Sequence, residues 1–80
     1  MPGGREETVD DSEILRLFKE AGDPFLFTGE VADEIGFSNQ GALPRLKKLE
    51  EDGYLQSKRG GKVLAWWLTE DGVERLVSSD

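Results

Sequence analysis

The chain has no cysteine and no histidine among its 80 residues. Without cysteine there is neither a disulfide framework nor a thiolate metal site. Without histidine it lacks the commonest general base and the commonest zinc ligand. It also lacks a phosphate loop and a nucleophile elbow; Gly3-Gly4 and Gly60-Gly61 do not sit in a phosphate-cradling context. These absences point away from an enzyme and call for no cofactor and no metal. No apolar run approaches the roughly 20 residues of a membrane span. Met1–Thr8 is polar rather than leader-like, so the expected setting is the cytoplasm, with no membrane partner. A chain of this length makes one small domain with a modest core. It leaves no room for a separate sensing domain, and no small-molecule ligand is evident.

Positive charge is scarce as well. Seventeen acidic residues against ten basic ones give a net charge of −7, which argues against indiscriminate nucleic-acid binding. The distribution adds to this. Arg45, Lys47, Lys48, Lys58, Arg59 and Lys62 share one segment with only Glu50, Glu51 and Asp52, a local balance of +3; the rest of the chain carries −10. An ordinary mixed-charge surface is one explanation. A salt-rich host is the other, because excess negative charge keeps a protein soluble in concentrated salt. The second is favoured, with the basic segment retained for function.

What is present is a clear alternation of caps, stripes and stops. Met1–Thr8, with a proline and two glycines, reads as a disordered tail ahead of a domain over residues 9–78. Asp10 is an N-cap with Glu13 completing a capping box, and Val9 with Ile14 can close a hydrophobic staple. Ile14, Leu17, Phe18 and Ala21 form the expected apolar stripe of this first helix, which Gly22 ends. Phe25-Leu26-Phe27 is either a short third strand or a packed loop. Thr28 is expected to cap a second helix, Gly29–Ile35, with Val31, Ala32 and Ile35 inward and Gly36 as its stop; Phe37 is expected to plug the core. Ser38 caps a third helix whose buried stripe is Ala42, Leu46 and Leu49, and Gly53 ends it. Pro44 leaves two options: a helix that begins near Leu43, or one that is kinked. After Tyr54 the period changes to two. Leu55–Arg59 and Lys62–Leu68 flank a Gly60-Gly61 turn, with Leu64, Trp66 and Leu68 on one face and Val63, Ala65 and Trp67 on the other. Thr69 caps a last helix carrying Val73, Leu76 and Val77, and Ser78–Asp80 are expected to fray.

Two short helices joined by a tight turn, followed at once by a basic hairpin, form the helix-turn-helix-plus-wing order. The stretch TGEVADEIGFSNQGALPRLKKLEEDGYL and the later RGGKVLAWWLTEDG resemble winged helix-turn-helix transcriptional regulators. The likeness is greatest to the MarR-like, ArsR-like and phage-repressor-like proteins of haloarchaea, and covers roughly residues 10–78. It implies an α+β fold: a three-helix core, a two-stranded wing and a short C-terminal helix. It also implies a homodimer that binds double-stranded DNA, with the helix at 39–52 in the major groove and the hairpin at 55–68 on backbone or minor groove.

In that arrangement Asn39 and Gln40 can pair with adenine edges, Leu43 can touch a thymine methyl, and Arg45 can contact guanine or phosphate. Thr28 and Ser38 can donate to phosphates at their helix starts. Lys47, Lys48, Lys58, Arg59 and Lys62 can reach the backbone. Plainer roles compete: Lys47 and Lys48 as a solvated helix face paired with Glu51 and Asp52, Asn39 and Gln40 as turn residues. Gly41, Leu43 and Pro44 stand where family members usually present polar or basic residues. The alternative function is therefore a winged-helix protein-interaction module without base-specific DNA binding. Trp66 is expected in the core. Trp67, on the opposite strand face, is either a contact surface or covered by a terminal segment.

Overall fold

The structure, a computed structural model, describes residues 9–79; the expected tail and Asp80 lie outside the described residues. The first helix, α1 (Asp11–Ala21), begins as the sequence dictates. The Glu13 carboxylate accepts from the Asp10 backbone N–H at 3.0 Å, and Gly22 closes the helix at φ 75°. Its buried side differs from the expected stripe. Ile14, Leu15 and Phe18 are buried, Leu17 is half-buried, and Ala21 is exposed. Neighbours crowd α1 from more than one direction: α2, β3 and α4 all pack on it, which turns its buried arc toward Leu15.

The Phe25-Leu26-Phe27 run resolves as a short strand, β1 (Leu26–Phe27), followed directly by α2 (Thr28–Ile35). Thr28 is therefore not the cap of α2 but its first residue. Phe27 holds the cap position, and its N–H donates to the Glu30 carboxylate at 2.9 Å. Val31 and Ala32 face the core, Ile35 is half-buried, and Gly36 ends the helix at φ 75°. Phe37 does not plug the core. It is half-buried against the first turn of the next helix, where a Cβ on Gly41 would lie 3.4 Å from the Phe37 ring.

The third helix, α3 (Asn39–Glu51), starts at Asn39 and runs through Pro44, so it does not begin near Leu43. Ser38 Oγ accepts from the Gly41 N–H at 3.0 Å. The proline removes the N–H that would have bonded the Gln40 carbonyl, one interior bond of the helix. Burial of Ala42, Leu46 and Leu49 on the core side offsets that loss. At the other end Tyr54 donates to Leu49 at 3.0 Å, Gly53 donates to Glu50 at 3.0 Å, and Gly53 adopts φ 90°. That is a Schellman closure, which needs glycine at the left-handed position.

The hairpin joins β2 (Leu55–Gly60) to β3 (Val63–Leu68). Gly60 pairs with Val63, so the turn residues are Gly61 and Lys62 rather than Gly60-Gly61, with Gly61 at φ 66°. β1 adds to the far edge of β3, pairing Leu26 with Trp66 and Phe27 with Ala65, which gives an antiparallel sheet in the order β1-β3-β2. Trp66 on the inner face is fully buried at the centre of the core. The last helix, α4 (Glu70–Ser79), continues past the expected fray point at Ser78. Thr69 caps it as expected: its Oγ1 accepts from the Gly72 N–H at 3.0 Å and donates to the Gly53 carbonyl at 2.6 Å. Among the described residues no helix is long and apolar enough to cross a membrane.

Candidate nucleic-acid interface

A cleft runs between the N-terminal half of α3 and the hairpin. Thr28, Asn39, Gln40, Leu43, Arg59 and Lys62 line it, with Phe27, Gly29, Val63 and Leu64 closing its floor and sides. The sequence placed these residues in three separate elements, and the fold brings them to one surface. Among the described residues no carboxylate lines the cleft, in a chain with 17 acidic residues against 10 basic ones. Acidic side chains instead line the grooves around α1 and α2, where Glu13, Glu20, Asp23, Glu30 and Glu34 are found.

Helix geometry explains which α3 side chains reach the cleft. At about 100° per residue, Asn39, Leu43, Lys47 and Gln40 fall within an arc of about 100°. Ala42, Leu46 and Leu49 occupy the arc from about 280° to 340°, turned to the core, counting from Asn39. Arg45 falls at about 240°, on the far flank of the buried stripe. The structure places it accordingly. Its guanidinium donates to the Val9 carbonyl and forms an ion pair with Asp11 at 3.3 Å, tying α3 to the start of α1. Arg45 is thus directed away from the cleft, contrary to the base- or phosphate-contacting role expected of it. The same wheel puts Lys48 at about 180°, and it pairs with Asp52 at 3.4 Å, the plainer of its two expected roles. Lys47 is exposed on the cleft side of α3, one turn beyond Leu43. Ser38 is exposed at the helix start with its oxygen engaged by the Gly41 N–H.

Strand alternation sets Arg59, opposite Leu64, toward the cleft, although it also borders the outer sheet face, and Lys62 lines the cleft from the turn. Lys58, opposite Ala65, stands on the outer sheet face beside Phe25, Phe27 and Trp67. That outer face is apolar and open: Phe25 is 41% exposed and Phe27 39%, with the two phenyl rings edge to face at 5.3 Å. Trp67 lies half-buried within it.

Two contacts that sequence reasoning did not reach shape the cleft. The fully buried Trp66 donates its indole Nε1–H to Thr28 Oγ1 at 2.8 Å. An indole nitrogen only donates, so the Thr28 hydroxyl is held as acceptor on that side and its own proton is left to donate elsewhere. Gly29 supplies the other contact surface. A Cβ there would sit 3.7 Å from both amide atoms of Asn39, so its absence leaves the Asn39 amide uncovered. A glycine at the second position of a helix, where it costs stability, is the one trace of this in the sequence.

Three helices, a helix-turn-helix whose second helix faces a cleft, and a hairpin beside it define a winged helix-turn-helix domain. Solved structures share this arrangement. The PcaV transcriptional regulator from Streptomyces coelicolor superposes with a TM-score of 0.71 at 22% identity, over 86% of this chain and 50% of that one. A variant of Lactococcus lactis ZitR gives 0.70 at 26% identity, over 96% and 56%. A ZitR variant in complex with DNA gives 0.67 at 26% identity, over 96% and 62%. ZitR is described as a zinc-responsive MarR family member. The chain spans between 50% and 62% of the length of these regulators. No family model matches the chain, and no curated protein matches it.

Proposed function

We propose that this chain is a sequence-specific transcriptional regulator that binds double-stranded DNA, with α3 in the major groove and the β2–β3 hairpin on the backbone or the adjacent minor groove. One observation carries the proposal: the cleft between α3 and the hairpin combines two amides, a hydroxyl and two cations and, among the described residues, no carboxylate, in a strongly acidic protein. Amides and cations without carboxylates suit base edges and phosphates. The likeness to ZitR, one structure of which holds DNA, supports the same reading. Arg59, Lys62, Lys47 and the Thr28 and Ser38 hydroxyls serve the phosphates; Asn39, Gln40 and Leu43 face the bases.

The protein works in the cytoplasm as a homodimer on a two-fold operator, with half-sites about one helical turn apart. Its acid excess suits a halophilic host, as the haloarchaeal resemblance implies. Gel-shift titration against fragments of the source genome tests the central reading. A retarded fragment at submicromolar protein is expected; absence of any shifted duplex contradicts it.

A second reading has its own observation. The outer sheet face of Phe25, Phe27, Ala65 and Trp67 is an apolar surface of the kind that marks protein contacts. Sedimentation of Trp67→Ala tests its role in pairing. A dimer that becomes a folded monomer assigns the face to the dimer contact. A dimer unchanged by the substitution removes that assignment.

A further inference from the structure

We infer that the reading face of α3 selects adenine·thymine pairs at the centre of each half-site, with Leu43 as the residue that recognises thymine. The inference rests on the DNA-binding reading above and specifies what that surface reads.

Leu43 is half-buried, packed against the core at one end and lining the cleft at the other. Asn39 and Gln40 flank it, both exposed, one turn or less away on the helix. An amide side chain presents a donor and an acceptor together. That pair matches adenine, which offers an acceptor at N7 and a donor at N6, and mismatches guanine, which offers two acceptors. The leucine methyls have no polar atom to offer. In the major groove their one apolar partner is the C5 methyl of thymine. Two amides and an apolar side chain in one arc therefore describe both members of an A·T pair.

Guanine is most commonly read by a cation at the same place, arginine above all. The one arginine of α3 is committed elsewhere, bound to Asp11 and the Val9 carbonyl on the far flank of the helix. Lys47 shares the cleft side but stands a full turn beyond Leu43, about 6 Å along the axis, where the groove wall presents phosphate. Arg59 and Lys62 come from the hairpin rather than from the inserted helix. Gly29 keeps the approach to Asn39 clear, since a Cβ there would lie 3.7 Å from both of its amide atoms.

The test uses a randomised 20-base-pair duplex pool, selected on the intact protein and sequenced. Each enriched half-site is expected to hold A·T pairs at its centre. The best duplex is then remade with deoxyuridine in place of each central thymidine, which removes only the methyl group. Affinity is expected to fall about fourfold per methyl read, the worth of one buried methyl-sized group. Leu43→Ala is expected to abolish that difference, with circular dichroism confirming a folded variant. Because the uracil exchange alters the DNA alone, its result stands whether or not the variant folds. Asn39→Ala and Gln40→Ala are expected to relax the adenine preference at one position each. Enrichment of G·C pairs at the centre, binding without any enriched sequence, or equal affinity for thymine and uracil duplexes each overturn the inference while leaving DNA binding in place. Failure to retain any duplex removes the DNA-binding reading, and the inference with it.

Discussion

At the scale of single residues, Gly72 carries one of the tightest constraints in the fold. A Cβ there would lie 2.2 Å from the Tyr54 carbonyl oxygen and 2.9 Å from a Leu68 methyl. The same carbonyl accepts from the Thr69 N–H at 3.1 Å, so it cannot retreat without breaking the junction between the α3 turn and α4. Gly72→Ala is expected to destabilise the domain by about 2–3 kcal/mol, as overpacking does. Thermal unfolding followed by circular dichroism should show a Tm lower by about 8 °C or more; an unchanged Tm contradicts the packing described. Thr28 makes a second case. Thr28→Val keeps shape but leaves the buried Trp66 indole without an acceptor, at a cost of about 1–3 kcal/mol. Thr28→Ser restores the oxygen and should recover most of that loss. Equal stability of the valine and serine variants would show that the Trp66 bond contributes nothing. Neither residue's role could be read from the sequence beyond a cap or turn preference, because the partners lie 18 and 38 positions away along the chain.

At the scale of elements, caps and periodicity carry most of the fold. Asp10, Ser38 and Thr69 stand where their chemistry predicts, and the Ala42-Leu46-Leu49 stripe and the inward Trp66 are where their spacing puts them. These features are local, so local sequence encodes them. The departures come from tertiary neighbours. Leu15 is buried because three elements crowd α1. Phe27 takes the cap position of α2 because β1 pairs with β3 up to the first residue of the helix. The cleft itself is half legible. Its residues follow from the basic segment and the helix-turn-helix order, whereas their division into facing and averted sets follows from a helical wheel and strand alternation applied strictly. Applied so, the wheel already turns Arg45 away from the reading arc.

At the scale of the whole molecule, charge is unevenly placed. Acids line the grooves around α1 and α2 and also occupy the end of α3 and α4, whereas among the described residues none lines the cleft. A net charge of −7 on a small domain makes the compact state repel itself once salt no longer screens it. Stability is therefore expected to rise with salt, with a higher Tm in molar potassium chloride than in 20 mM buffer; a Tm independent of salt contradicts adaptation to a salt-rich host. DNA binding should respond in the opposite sense, because each phosphate neutralised releases counterions and that gain shrinks as salt rises. The two trends separate folding from binding within one protein.

The cleft between α3 and the hairpin is proposed to be a DNA-binding surface. Its most direct test is the salt dependence of duplex affinity for the parent chain, for Arg59→Ala with Lys62→Ala, and for Arg45→Ala. The cleft pair is expected to reduce the slope of log affinity against log salt by about 2, close to one unit per lost phosphate contact. Arg45→Ala is expected to leave the slope unchanged, because that guanidinium is bound to Asp11 and the Val9 carbonyl. A slope unaffected by loss of Arg59 and Lys62, or one reduced by loss of Arg45 instead, would contradict the account.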